Sequence, residues 1–137
     1  MRRAMGVARH GGERMPWGKG VIASGTFVFL AGVEGRHPET DVVPAEIGEQ
    51  VEITWQKIKE RLEEAGTNCE NIVHMLTFVT DMDEWVRHGG WYQDRWLRKN
   101  APAILEEGRP NTLIQVPRLH LPEMKLEIHA TAVIPDD

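Results

Sequence analysis

The chain has 137 residues, 41% hydrophobic and 27% charged, with a formal net charge of −5. Such a length points to one domain that buries roughly 68–70% of its unfolded surface, and the composition is ordinary for a globular protein in water. The acidic balance speaks against a nucleic-acid partner, which needs concentrated Lys and Arg, and no apolar run nears the ~18 residues of a membrane helix.

Residues 1–15, MRRAMGVARHGGERM, are basic and lack the apolar centre of a signal peptide. They are expected to form a flexible N-terminal arm ahead of a single domain at residues 16–137. Gly18-Lys19-Gly20 lacks the spacing of a phosphate-cradling loop. Gly20–Ser24 and Thr26–Val33 read as strands around a Ser24-Gly25 turn. The second, TFVFLAGV, is apolar on both faces, so both faces should be covered.

Pro44–Ala65 is the clearest helix. Ile47, Val51, Trp55, Ile58, Leu62 and Ala65 recur at steps of three or four and make one apolar stripe. Pro44 suits the first turn and Gly66 the C-terminal cap. Asn71–Thr80 alternates as a strand, with His74 expected to be a packed structural histidine. Asp81 or Asp83 can cap a second helix that runs to about Lys99, with Trp85, Tyr92 and Trp96 on its buried stripe. Gly89-Gly90 weakens that helix and allows a kink or a close backbone approach. Ala101–Gly108 reads as a loop.

The C-terminal stretch Arg109–Val133 contains two strands. In the first, Thr112, Ile114 and Val116 alternate with Asn111, Leu113 and Gln115. In the second, Met124, Leu126, Ile128, Ala130 and Ala132 form an apolar face, and Lys125, Glu127, His129 and Thr131 a polar one. Glu127 and His129 therefore project together, roughly 6.8 Å apart along the strand.

The predicted order is β-β-α-β-α-β-β, an α+β single domain with a mixed sheet. About five strands at ~4.8 Å span ~24 Å, and two helices at ~10 Å each cover one face only. Strands apolar on both sides leave the other face in need of a partner, so a homo-oligomer is expected. Cys69, the single cysteine, excludes an intrachain disulfide and fits the cytoplasm; it reads as a buried or helix-end thiol. The six histidines show no zinc-ligand spacing, so no metal or other cofactor is expected. Ser24, the sole serine, sits in a turn and supports no Ser-His-Asp set.

Several motifs resemble the Rid/YjgF family of reactive intermediate deaminases, also called the endoribonuclease L-PSP or translation-inhibitor family. They are Phe29-Leu30-Ala31-Gly32, Asn71–His74 through Thr80–Asp83, Arg109-Pro110-Asn111-Thr112, Val116–Leu119 and Leu126–Ala132. The resemblance covers most of residues 17–134. It implies a YjgF-like (chorismate-mutase-like) homotrimer with sites between subunits, and hydrolysis of imines or enamines of amino acids to ketones and ammonia. Glu127 falls at the family's acidic residue, which is proposed to orient water.

Other positions depart from the pattern. Asn111 stands where the family has an arginine that grips the substrate carboxylate, so Arg109 becomes the candidate anion grip. Leu113 replaces a frequent thiol, Ala31 a hydroxyl, and Gly18, beside Trp17, a tyrosine. Gly89, beside His88, replaces an asparagine. The pocket should then be more apolar, with Trp17 as an aromatic wall, and suit a larger or less charged substrate than a three-carbon imino acid. His129 and His88 are candidate proton carriers. Two functions follow: a metal-free C=N hydrolase that uses Glu127, or a non-catalytic ligand-binding or regulatory trimer on the same scaffold. A ribonuclease role, which some family names carry, fits the acidic charge poorly.

Overall fold

The structure is a computed structural model and describes residues 1–136. Its strands are β1 (Arg2–Ala4), β2 (Val7–His10), β3 (Glu13–Gly18), β4 (Val21–Ala23), β5 (Thr26–Phe29), β6 (Val33–Glu34), β7 (Ile72–Val79), β8 (Asn111–Gln115) and β9 (Leu126–Ile134). Its α-helical segments are α1 (Ile47–Glu64), α2 (Met82–Glu84), α3 (Gly90–Asn100) and α4 (Pro102–Glu107). A π-helical turn, Trp85–Gly89, joins α2 to α3 into one continuous helix.

The main sheet is mixed, in the order β5-β9-β7-β8, with β6 also pairing to β9. The last strand in the sequence is thus central. It runs antiparallel to β5, β6 and β7, while β8 lies parallel to β7 at the edge. Helical crossovers suit parallel strands, because the chain must return to the same end of the sheet.

The alternation in β9 holds: Leu126, Ile128, Ala130 and Ala132 are buried, whereas Glu127 and Thr131 are half-buried and His129 is exposed. β7 turns Met75, Thr77 and Val79 to the same covered face. A register shift between Ile72 and His74 brings Ile72 into the core as well. His74 is exposed on the uncovered face, so it is not the packed histidine expected from the pattern.

Val51, Trp55, Ile58 and Leu62 of α1 are fully buried, as the stripe required. The helix starts at Ile47, with Pro44 outside it. Gln50 fixes that end. Its amide nitrogen donates to the carbonyls of Pro44 (2.8 Å) and Glu123 (3.0 Å), and its side-chain oxygen accepts from the Lys125 backbone N–H (2.9 Å).

Three expectations need correction. The helical layer has a third helix, since Pro102–Glu107 is helical rather than a loop. Pro102 supplies the preset φ of a first helical residue, and Ile104 is fully buried. The expected two-strand opening is divided further, into β4, β5 and β6. The third correction concerns residues 1–15, which are not a loose arm. β1 pairs with β4, and β2 pairs with β3. Arg2 is anchored far along the chain: its Nε donates to the Ile72 carbonyl (2.9 Å) and its Nη1 to Glu107 (2.7 Å). A charge-assisted bond from a side chain only 9% exposed holds the first strand down. Among the described residues, no helix is long and apolar enough to cross a membrane.

Candidate functional site

A cavity of about 590 Å³ opens beside the edge strand β8. Four residues singled out from the sequence line it: Trp17, Arg109, Asn111 and Leu113. The end of β3 reaches the head of β8 through backbone bonds. The Gly18 N–H donates to the Arg109 carbonyl (2.9 Å), and the Arg109 N–H donates to the Pro16 carbonyl (3.3 Å). That pairing places Trp17 over one end of the cavity.

The opposite wall comes from the second helix. Trp85 and Val86 of the π-helical turn and Gly90, Trp91 and Asp94 of α3 line it. Val86, Gly90 and Asp94 lie at successive steps of four along the helix and so share a side. Trp85 is buried, and Trp91 is 59% exposed. The aromatic wall expected from Trp17 alone is thus built by three tryptophans.

Asn111 accepts a bond from the Thr77 hydroxyl (2.8 Å) on its side-chain oxygen. Its amide nitrogen has no protein acceptor among the described residues, so it is the donor Asn111 can offer a ligand. Arg109 is held in an ion pair, while its buried Nε has no partner among the described residues. Its Nη1 is bonded to Asp94 (2.5 Å), with the side chains 11% and 33% exposed. Burial draws the Arg109 guanidinium below its ordinary pKa, and the Asp94 charge opposes that.

Gly89 and His88 do not line the cavity. His88 is exposed on the π-helical turn. Gly89 is buried beneath Trp85: a Cβ there would lie 2.4 Å from Trp85 Cε3. The glycine therefore acts through packing, as the close approach read from the sequence, and lets Trp85 lie against the helix.

Glu127 and His129 form a separate group on the uncovered face. Glu127 shares a register row with Phe78 of β7, which in turn pairs with Ile114 of β8. Asn111 and Leu113 belong to the alternate rows, which face the helices. β9 is also two strands in from β8, roughly 10 Å across the sheet. Glu127 Oε2 lies 3.1 Å from His129 Nε2, and the His129 ring meets Phe78 edge-on at 5.3 Å. Gly32 makes room for the pair, since a Cβ there would be 2.6 Å from Glu127 Oε2. One protomer thus presents two separate features: a tryptophan-walled cavity at the sheet edge and a carboxylate–imidazole pair on the open face.

No cluster of three or more His, Cys, Asp or Glu fit to hold a metal occurs among the described residues. Cys69 begins the short 3-10 turn Cys69–Asn71, is buried, and has its thiol pKa pushed up to about 12 by burial. A larger open groove of about 830 Å³ lies between His37–Glu39, α1 and α3, and none of the expected site residues lines it.

The sequence profile described as Endoribonuclease L-PSP matches residues 12–134. The chain belongs to this family, the Rid/YjgF proteins. It is 27% identical over 133 residues to TdcF of Escherichia coli strain K12, named as a candidate reactive intermediate deaminase; the match covers 97% of this chain and 98% of TdcF. It is 28% identical over 111 residues to the 2-iminobutanoate/2-iminopropanoate deaminase of the same strain, 80% of each chain. Among solved structures, E. coli TdcF with bound serine superposes with a TM-score of 0.69 at 26% identity, over 96% of this chain and 93% of that one. The Rid protein YyfB of Yersinia pestis superposes at 0.74 and 20% identity, over 96% and 98%, and shares the fold. Two of these relatives are named as deaminases, one of reactive intermediates and one of 2-iminobutanoate and 2-iminopropanoate, and these names support a deaminase-type function in general.

Proposed function

We propose that this Rid/YjgF protein is a metal-free hydrolase of imines or enamines that works as a homotrimer with pockets between subunits. The observation that carries this reading is the division of the site. The tryptophan-walled cavity is rimmed by the edge strand β8, while Glu127 sits on the uncovered face of the same sheet. A second copy packed on that face brings its Glu127 to a cavity the first cannot complete. The apolar side chains left outside, with Phe29 75% exposed and Leu76, Phe78 and Ile114 half-buried, support such packing.

In the proposed reaction Asn111 donates to the substrate and the tryptophans hold its apolar part. Glu127 orients a water and takes one of its protons as the oxygen attacks the C=N carbon. The nitrogen gains protons and leaves as ammonia while the carbonyl forms, so R₂C=NH and water give R₂C=O and NH₃. His129, hydrogen-bonded to Glu127, is placed to carry the proton onward.

Asn111 in place of the family's arginine favours a substrate other than a small imino acid, because a neutral amide cannot grip a carboxylate with charge. The test is a coupled assay in which a dehydratase generates 2-iminopropionate. The expected turnover is far below that of an arginine-bearing relative; comparable turnover would remove the substrate part of this reading.

A further inference from the structure

We infer that Asp94 sets the charge selectivity of the cavity: by holding Arg109 it bars carboxylates and makes the site one for uncharged aromatic carbonyl or imine compounds, amides or esters rather than free acids. This rests on the cavity being the substrate site proposed above.

The cavity wall carries one cation, Arg109, and one anion, Asp94, and they are bonded to each other. A carboxylate entering the cavity meets a guanidinium whose charge Asp94 already offsets, although its Nε has no partner, and a negative charge beside it. To take over the charge of Arg109 it must displace Asp94 from an ion pair largely withdrawn from water, and removing one partner of such a pair is costly. The Asn111 amide nitrogen is a neutral donor left unengaged, since the Asn111 oxygen is committed to Thr77. A neutral donor suits a carbonyl oxygen or an imine nitrogen.

The remaining wall selects for an aromatic body. Trp17, Trp85 and Trp91 line the cavity with Leu113 and Val86. Trp91 is held upright by Tyr92, edge-on at 5.0 Å, and by the Arg95 guanidinium, 5.1 Å from its ring centre. Aromatic pairs prefer such edge and offset geometries, and fixed rings at the rim leave an aromatic ligand little ordering cost. Arg95 is itself tied to Glu52 (2.6 Å), so its charge also is engaged. Asp94 lies three residues from Trp91, so one stretch of α3 carries both the aromatic and the charge selection.

The test measures binding by calorimetry, so its outcome does not depend on turnover. Phenylpyruvamide and phenylpyruvate serve as probes of the intact protein and of Asp94→Asn. The parent should bind the amide more tightly than the acid by about 10- to 100-fold, the worth of one charged hydrogen bond. Asp94→Asn releases Arg109 and should gain acid binding by a similar factor, with little change for the amide. The gain should vanish in Asp94→Asn/Arg109→Met, an outcome that a purely structural ion pair does not produce. Equal or tighter binding of the acid by the parent overturns the inference even if Asp94→Asn fails to fold, and so does a folded Asp94→Asn without the gain. Binding of neither probe by either protein overturns the cavity assignment itself. Amide binding without turnover leaves Asp94's role standing and counts against the hydrolase reading alone.

Discussion

Glu127 is the side chain on which the proposed chemistry turns, and its surroundings make a sharp variant possible. Glu127→Gln keeps the length and the contact to His129 but removes the basic oxygen. Turnover of the true substrate should fall by on the order of 10²–10⁴-fold, the usual worth of acid–base help, with ligand affinity and trimer formation little changed. Unchanged turnover in steady-state assays would remove Glu127 from the mechanism. Cys69 provides a stability test at the same scale. Burial raises its thiol pKa from 9.0 to about 12 in the folded protein, so only the unfolded chain ionises between those values. Folding stability drawn from the neutral thiol is full below pH 9 and is lost as pH rises through that window, at up to roughly 1.4 kcal/mol per pH unit. Urea melts at pH 8 and pH 10.5 should therefore show a steeper alkaline loss in the parent than in Cys69→Val. Such residues differ in how plainly a sequence shows them. Glu127 and His129 are legible from strict alternation in β9. Asp94 is not, because its partner Arg109 is distant in the chain; the only local hint is the repeat of Val86, Gly90 and Asp94 on one helix side.

Among the elements, the second helix departs most from a simple reading. Its π-helical turn inserts where Trp85 must lie over Gly89. Gly89 has helical dihedrals, φ −57° and ψ −46°, so the backbone would accept alanine. On an exposed helix Gly→Ala stabilises by roughly 1 kcal/mol. Here the added Cβ would meet Trp85 at 2.4 Å and Ile47 at 3.0 Å, and overpacking of this kind costs about 1–3 kcal/mol. Gly89→Ala should therefore lower Tm, by about 3–8 °C, and shift the fluorescence of Trp85. A rise in Tm would show that the tryptophan moves aside freely. The sequence shows α1 clearly because its stripe runs for four turns at one period. It hides α4, whose six residues are too few to display one. It also hides β1: Arg2 reads locally as a basic tail, and only its bonds to Ile72 and Glu107 fix the strand.

For the whole molecule, the issue is which surface the fold leaves uncovered. Helices cover one face of the sheet, and Phe27, Phe29, Leu76 and Phe78 remain on the other. We expect light scattering at micromolar concentration to give a trimer. Phe29→Asp, at a position already 75% exposed in the protomer, should give monomers that keep their helical circular dichroism. A parent that scatters as a monomer would end the between-subunit reading. The arithmetic of sheet width against helix width made this face legible in advance; the placement of the cavity at the sheet edge was not, since it needs β3 beside β8. The position of β9 has a consequence for biosynthesis. Strands β5, β6 and β7 all bond to β9, which leaves the ribosome after every one of them. Until then β7, with its run of apolar residues, has only β8 beside it, and the sheet cannot close stepwise from the N-terminus. The nascent chain must hold most of its core open until β9 has been made, and chaperone protection matters most in that interval.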